Sequence, residues 1–400
     1  MGRRLKFGKP EWDENLSFKT QDIHTNGVTI STPIKAIDRT KFSGIKINDN
    51  IKGLNEIYKI IYEKNTPKKT WIETLSSEPD ELYRYNNSIT RLLNTTDPKK
   101  ELSICFVAYN GDNYPTGKKL ALLADISYSF SDLTPIPIVL KMSEKLKKQN
   151  GFNEYMAFLK EAYEVVDTLN HKPIMGIIPN VAQKDVDVLT KFYIDNDVNS
   201  FCFDFNGKKP ISMQPNIRMF LRTIKEYNLL DEFFVHSMNV LYGRGNKKKN
   251  VVPASNIFSF GFGFNSLGED HTLRGNKEFF DKIKMSSKDS IENWMRLFIK
   301  ENYGYYNIKF IDDIKDKYPL DSNIPINLFN NLPSQIKTFQ KAFNIEQIGL
   351  ECLNLQKTIK DGDTLPYLNN KTEVNKNELI KIKDVKNDIF SKQASLSEWL

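Results

Sequence analysis

The chain has 400 residues, enough to bury a full core as one large α/β domain with an appendage or as two domains. An apolar content of 40% and an aromatic content of 12% exclude a disordered chain, and no apolar run approaches the length needed to span a bilayer. A formal net charge of +7 permits a nucleic-acid partner without requiring one; three distant cysteines, Cys105, Cys202 and Cys352, with no CxxC or HExxH, support neither a disulfide framework nor a zinc module.

The start, MGRRLKFGKPEW, is basic and lacks the apolar segment of a signal peptide, so a cytoplasmic address is expected. Residues 1–30 read as a lead-in with a hairpin, Asn26-Gly27 forming a tight turn between two strand-like runs. LNEIYKIIYEK places Leu54, Ile57, Ile60 and Ile61 at helical spacing; TWIETLS and LSICFVAY read as strands, and so does LADISYSFSDLTPIP, Leu123 to Pro137. FNEYMAFLKEAYEVVDTL is a helix, KPIMGIIPN a buried strand, QKDVDVLTKFYIDND a helix, NSFCFDFNG a strand and PNIRMFLRTIKEYNLLDEF a helix with Pro215 near its start. FVHSMNVLYGRG and ASNIFSFGFGF follow as strands. SSKDSIENWMRLFIKENYGYY and INLFNNLPSQIKTFQKAFNIEQIGLECLNL read as amphipathic helices.

Strands that are apolar throughout, alternating with helices, point to parallel βα repeats covered on both faces. The expected architecture is α/β: a (β/α)8 TIM-like barrel over 31–310, with a doubly wound open sheet as the alternative, and a helical C-terminal extension over 311–400.

In a barrel the chemistry sits at the C-terminal ends of strands. The candidates there are Glu73, Ser131, Asp132, Asn180, Asp204, Asn206, His236, Asn239, Asn256 and Ser259. A lone carboxylate at a strand end is ordinarily a helix cap. Asp204 is different: it lies between Phe203 and Phe205 in a run that should be buried, and a buried carboxylate needs a partner or a function. Glu73 behind Trp71 and Ile72 is similar, whereas His236 reads as a core histidine. The loop YGRGNKKKN carries Arg244, Lys247, Lys248 and Lys249, suited to a phosphate or nucleic-acid backbone as well as to a solvated turn.

Taken together, these pieces resemble the tRNA-guanine transglycosylase superfamily. LADISYSFSDLTPIP is similar to the family strand that ends in Phe-Asp-Glu-Cys-Thr-Pro-Tyr-Pro; GVTISTP, TWIETLS, HKPIMGIIPNV, VHSMNVLYGRG and ASNIFSFGFGF resemble further family motifs in the same order, over about Gly27 to Phe264. The resemblance implies a (β/α)8 barrel that breaks a guanine glycosidic bond through a covalent sugar–Asp intermediate and inserts a 7-deazaguanine base, in tRNA or, in related enzymes, in DNA. Several positions depart from the family. Ser259 stands for the nucleophilic Asp, Ser131 (with Asp132 beside it) for the base-binding Asp, Pro179-Asn180 for Gln-Gly, and Phe203-Asp204 for the Gly-Gly pocket floor; the zinc module is missing, and Glu73 alone keeps an acid.

Two outcomes follow. In a rebuilt transglycosylase Glu73 and Asp204 divide nucleophile, acid and base-gripping roles, with Phe203 or Phe205 stacking on the base, and nucleic acid (DNA slightly before tRNA) and a 7-deazaguanine base as partners. In an inactive paralogue the chain binds nucleic acid or a protein subunit. Neither outcome calls for a metal or cofactor. The Lys/Asn/Ile-rich composition suits a virus or low-GC host, with action in the host cytoplasm.

Overall fold

The computed structural model describes residues 4–40, 45–65, 67, 69–146, 150–169, 171–243, 250–272, 295–307, 315–330 and 333–390. The chain opens with β1 (Lys6–Phe7), β2 (Glu11–Trp12), β3 (Lys19–Thr25) and β4 (Val28–Thr32), an antiparallel group turned at Asn26-Gly27 as expected. The body that follows is mixed α/β with two parallel sheets.

One parallel sheet has the order β10-β8-β7-β6 and the other β5-β15-β13-β12-β11-β9. Their strands are β5 (Ile34–Lys35), β6 (Ile37–Asp38), β7 (Leu54–Tyr62), β8 (Leu102–Asn110), β9 (Thr134–Pro135), β10 (Ile138–Val139), β11 (Ile174–Ile178), β12 (Ser200–Asp204), β13 (Phe234–Met238) and β15 (Ser266–Leu267). The sheets are joined at both ends by strands that change partner. Ala36 N–H donates to Leu267 O (3.0 Å), whereas Arg39 N–H donates to Glu56 O (2.9 Å). In the same way Ile136 N–H goes to Met175 O (3.1 Å) and Leu140 N–H to Tyr109 O (2.8 Å), with Pro137, which has no N–H to give, at the bend.

The connections carry α1 (Ile72–Ser77), α2 (Pro79–Leu93), α3 (Gly117–Ser129), α4 (Met142–Lys145), α5 (Gly151–Leu169), α6 (Gln183–Asp195) and α7 (Gln214–Glu226). On α7, Ile217, Phe220, Leu221 and Ile224 recur at i, i+3, i+4, i+7 and are all buried, so one stripe faces the sheet. A short strand β14 (Val251–Pro253) pairs with the hairpin β16 (Arg296–Ile299) and β17 (Gly304–Asn307). The C-terminal helices are α8 (Pro333–Asp361), α9 (Thr364–Asn369) and α10 (Lys376–Phe390). One continuous apolar core runs from Leu5 through the sheets to Ile348, Cys352, Leu355 and Ile389, so it crosses the expected boundaries near 30 and 310. No described helix is long and apolar enough to cross a membrane.

Several expected elements are corrected. The run expected as a helix at Leu54–Ile61 is strand β7. Its Leu54 joins the main core while Ile57 and Ile61 pack on the other side with Ile72, Ile89 and Leu123, and a strand covered on both faces can satisfy either period. TWIETLS is helix α1, closed by Ser76 and Ser77 hydroxyls donating to Ile72 O and Glu73 O. LADISYSF belongs to α3, because Leu120, Leu123, Ala124 and Ser127 form a buried helical stripe; only Thr134–Val139 is extended. Ser255–Phe262 is a 3-10 helix ended by Gly263 at φ 80°, not a strand. The described part of SSKDSIENWMRLFIKENYGYY is the β16–β17 hairpin; residues 286–294 lie outside the described residues.

Phe220 meets Phe201 and Phe203 edge-on, at 5.2 and 6.1 Å between ring centroids. Phe220→Ala is therefore expected to cost about 3–5 kcal/mol in urea unfolding, and a loss below about 1 kcal/mol would contradict the packing of α7 on β12.

Candidate functional site

The C-terminal ends of the parallel strands surround a recess of about 230 Å³, whose lining includes Tyr58, Lys141, Asn180, Asp204, Asn239 and His271. It is smaller than the roughly 300–1,000 Å³ of pockets for drug-sized ligands, so it suits one small ring system. Three residues that line it have left-handed backbones: Lys141 after β10 (φ 59°), Asn206 after β12 (φ 48°) and Asn239 after β13 (φ 59°). Asparagine tolerates that region, whereas lysine rarely enters it, and such backbone cost tends to be kept where it aims a side chain.

Beneath the recess lies a buried carboxylate. Glu56, on β7 in one sheet, faces His236, on β13 in the other, with Glu56 Oε2 3.2 Å from His236 Nε2, within attraction but off the hydrogen-bond line. Glu56 Oε1 accepts a short hydrogen bond from His271 Nε2, and the Glu269 N–H adds a weak contact at 3.2 Å. Burial is the strongest single influence on this carboxyl and opposes its charge. The attraction and hydrogen bond of His271, with the nearby His236 imidazole, together outweigh it, holding Glu56 well below the usual carboxylate range. An ionised carboxylate only accepts, so the His271 Nε2 that faces it carries the proton, which sets the ring's orientation. Among the described residues no trio of His, Cys, Asp or Glu is arranged to hold a metal ion, this one included.

His271 stacks flat on Tyr58, centroids 4.0 Å apart and planes 6° from parallel. The His271 backbone N–H donates to Asn239 Oδ1 (2.7 Å), and Asn239 Nδ2 in turn donates to Asp204 Oδ1 (2.7 Å), which also accepts the Asn206 backbone N–H (2.8 Å). One hydrogen-bonded chain thus connects His271 to Asp204 at the recess. The surrounding protein desolvates Asp204 and pushes its pKa up, against the lowering effect of its Asn239 and Asn206 bonds. The cysteines are all buried, with pKa values pushed up by burial, Cys105 to about 12, so no thiolate is at hand.

Of the residues expected from sequence, Asp204, Asn180, Asn206, Asn239 and His236 gather here: the first four line the recess, and His236 lies below it against Glu56. Glu73 does not join Asp204. It lies in the first turn of α1 with its side chain 48% exposed, paired with Lys119 at 2.8 Å. Ser131 and Asp132 lie at the start of their strand, not its end: Ser131 Oγ accepts the Cys105 N–H and Asp132 Oδ2 the Ser103 N–H, both 2.8 Å, so they bind the edge of β8 away from the recess. Phe203 and Phe205 point into the aromatic layer with Phe220 and Phe264, away from the recess, because strand alternation turns Asp204 and its neighbours to opposite faces. Ser259 is enclosed in the 3-10 helix, where the Ser237 hydroxyl donates to its oxygen (3.2 Å). Arg244, Lys247, Lys248 and Lys249 lie outside the described residues.

Sequence reasoning missed Glu56, Tyr58 and His271. The signal for Glu56 was the one that flagged Asp204, a carboxylate inside an apolar strand, but the run was assigned to a helix, where Glu56 fell on a polar face. Nothing in GEDHTLRGN marks His271. No protein-family model matches the chain, and no curated protein matches it.

Two outcomes test this geometry. A Cβ on Gly268 would collide with Glu56 Oε2 and His236 Nε2. Gly268→Ala is expected to lose about 1–3 kcal/mol in urea unfolding, and unchanged stability would contradict the packing of the carboxylate over that glycine. Asp204 has a folded pKa above its unfolded value, so stability is lost as pH rises through the folded pKa. Asp204→Asn keeps an acceptor for both donors and removes that loss. Its melting temperature is expected to match wild type in acid and to exceed it once pH passes the folded carboxyl's pKa, the gap then staying constant; a pH-independent difference would contradict the desolvation of Asp204.

Proposed function

We propose that the two parallel sheets are two arcs of one (β/α)8 barrel, and that the chain is a transglycosylase-like enzyme exchanging a guanine for a 7-deazaguanine base in nucleic acid, DNA before tRNA. The fold reading is supported by the strand order: with Ile34–Asp38 and Thr134–Val139 each taken as one bent strand, the neighbours in the parallel sheets follow chain order, and β15 returns to β5. The observation that carries the functional reading is Asp204. It is a carboxylate with a raised pKa in a recess sized for one ring system, tied through Asn239 to His271 and hence to the ionised Glu56.

In this reading Asp204 acts as acid and then as base. As the bond between C1′ and the guanine nitrogen breaks, the bonding pair goes to the nitrogen and the Asp204 proton to the departing base. C1′, having lost that pair, bonds to the Glu144 carboxylate; the incoming base then attacks C1′ through its ring nitrogen, the C1′–Glu144 bond breaks with its pair returning to the carboxylate, and the base gives its proton to the Asp204 carboxylate. Glu144, exposed on α4, is the other carboxylate of the lining and the one available to the sugar carbon. His271, held by Glu56, forms the wall against which the ring lies. The roles drawn from the resemblance for Glu73, Ser131 and Ser259 find no support in their surroundings.

A second reading, a catalytically inactive paralogue that binds nucleic acid or a partner subunit, is favoured by one observation: Glu73, which alone keeps an acid at a resembled catalytic position, is a surface residue paired with Lys119. Exchange of labelled guanine and labelled 7-deazaguanine bases into duplex DNA and bulk tRNA separates the two. The enzyme reading expects incorporation that falls at least about 100-fold in Asp204→Asn, with Glu73→Gln unchanged. No incorporation into either polymer, alone or with host extract, would leave the inactive paralogue.

A further inference from the structure

A second buried charge holds the segment that carries His271. Lys35, on β5, is 2% exposed, and its ammonium reaches past the end of β15 to donate to Gly268 O (2.9 Å) and to pair with Glu269 Oε1 (2.6 Å). Closing the sheet at this point does not need that side chain. The Ile34 N–H donates to Asn265 O (2.9 Å) and the Ala36 N–H to Leu267 O (3.0 Å), so the backbone already joins β5 to β15. A buried ion pair is in itself a weak source of stability, because desolvation offsets much of the attraction; its better-attested use is to fix one arrangement of the chain.

The arrangement fixed here is that of Gly268–His271. Glu269 O accepts the Asn239 backbone N–H (3.0 Å), and the His271 backbone N–H donates to Asn239 Oδ1 (2.7 Å), so this stretch and Asn239 are bound to each other at two points. Asn239 Nδ2 in turn donates to Asp204 Oδ1 (2.7 Å), and the His271 ring lies flat on Tyr58. Glu56 grips the stretch through the His271 ring and the Glu269 N–H. Lys35 grips it through different atoms, the Gly268 carbonyl and the Glu269 side chain. Two buried charges of opposite sign, one from each parallel sheet, therefore share the stretch on which both the ring wall and the acid depend.

We propose that Lys35 is a positioning residue for the recess. It sets where the His271 wall and, through Asn239, the Asp204 carboxyl stand, and so governs affinity for the ring without touching it. The inference rests on the base-exchange reading for the identity of that ring.

The experiment compares wild type with Lys35→Met, which keeps an apolar stem and removes the charge. Its control is Lys19→Met, which removes a similarly buried lysine whose ammonium donates to Phe233 O (3.1 Å), outside this network. Binding of a labelled 7-deazaguanine base is measured by equilibrium dialysis, which gives the number of sites and the Kd separately. Lys35→Met is expected to raise Kd by about 3- to 30-fold with the number of sites unchanged. A merely structural role lowers the number of sites at unchanged Kd, and that is the result expected of Lys19→Met. Nuclear magnetic resonance of protein labelled with nitrogen-15 in its four histidines gives a second readout that needs no ligand. The His271 Nε2–H resonance, assigned by its loss in His271→Gln, is expected to shift in Lys35→Met and to stay in place in Lys19→Met. Glu269→Gln, at a side chain 22% exposed, carries the test if Lys35→Met does not fold, and is expected to move both readouts in the same direction. A Kd equal to that of wild type in the folded variants would overturn the proposal. A wild-type protein that binds no 7-deazaguanine base loses the base-exchange reading; the His271 resonance then decides on Lys35 alone, and an unchanged resonance overturns its positioning role.

Discussion

The arrangement turns on one buried ion, the Glu56 carboxylate. A carboxylate with no exposure is stable only when groups around it replace the water it has lost. Here they come from distant parts of the chain: His236 from the second sheet, His271 and the Glu269 N–H from the segment after β15, with Gly268 leaving the space a side chain would fill. The carboxylate therefore ties the two sheets together face to face and fixes the orientation of His271. Losing any one of these partners leaves the charge less well compensated, so the site cannot drift without loss of stability.

From His271 the constraint passes outward. Its backbone holds Asn239, Asn239 holds Asp204, and its ring lies flat on Tyr58. The left-handed turns at Lys141, Asn206 and Asn239 close three strand ends around the same space. Two carboxylates a few residues apart in the architecture are thus driven in opposite directions: Glu56 toward the ion by two imidazoles, Asp204 toward the acid by desolvation. Divergent carboxylates of this kind are how a protein obtains a fixed countercharge and a proton donor in one pocket.

Much of the scaffold was legible in the sequence, because the strands at Ile174, Ser200 and Phe234 and the helices between them follow simple apolar periods. The failures have a common physical cause. β7 is buried on both faces, which erases the alternation that marks a strand and let Ile57, Ile60 and Ile61 pass for a helical face. That one error hid Glu56. Asp204 was found because an acid between two phenylalanines is costly wherever it sits, and that argument needed no assignment of secondary structure. Ser131 and Asp132 were misplaced because α3 extends to Ser129, which moves the pair from the end of a strand to its beginning. His271 could not have been found: its role comes from contacts with Glu56 and Tyr58, both more than two hundred residues away in the chain.

The most direct test of the account is a crystal structure of the protein soaked with a 7-deazaguanine base. The account predicts the ring in the recess, its edge within hydrogen-bond distance of Asp204 and its wall formed by Tyr58 and His271, with Glu56 still bonded to His271. A base bound elsewhere, or one that leaves Asp204 unengaged, would contradict it.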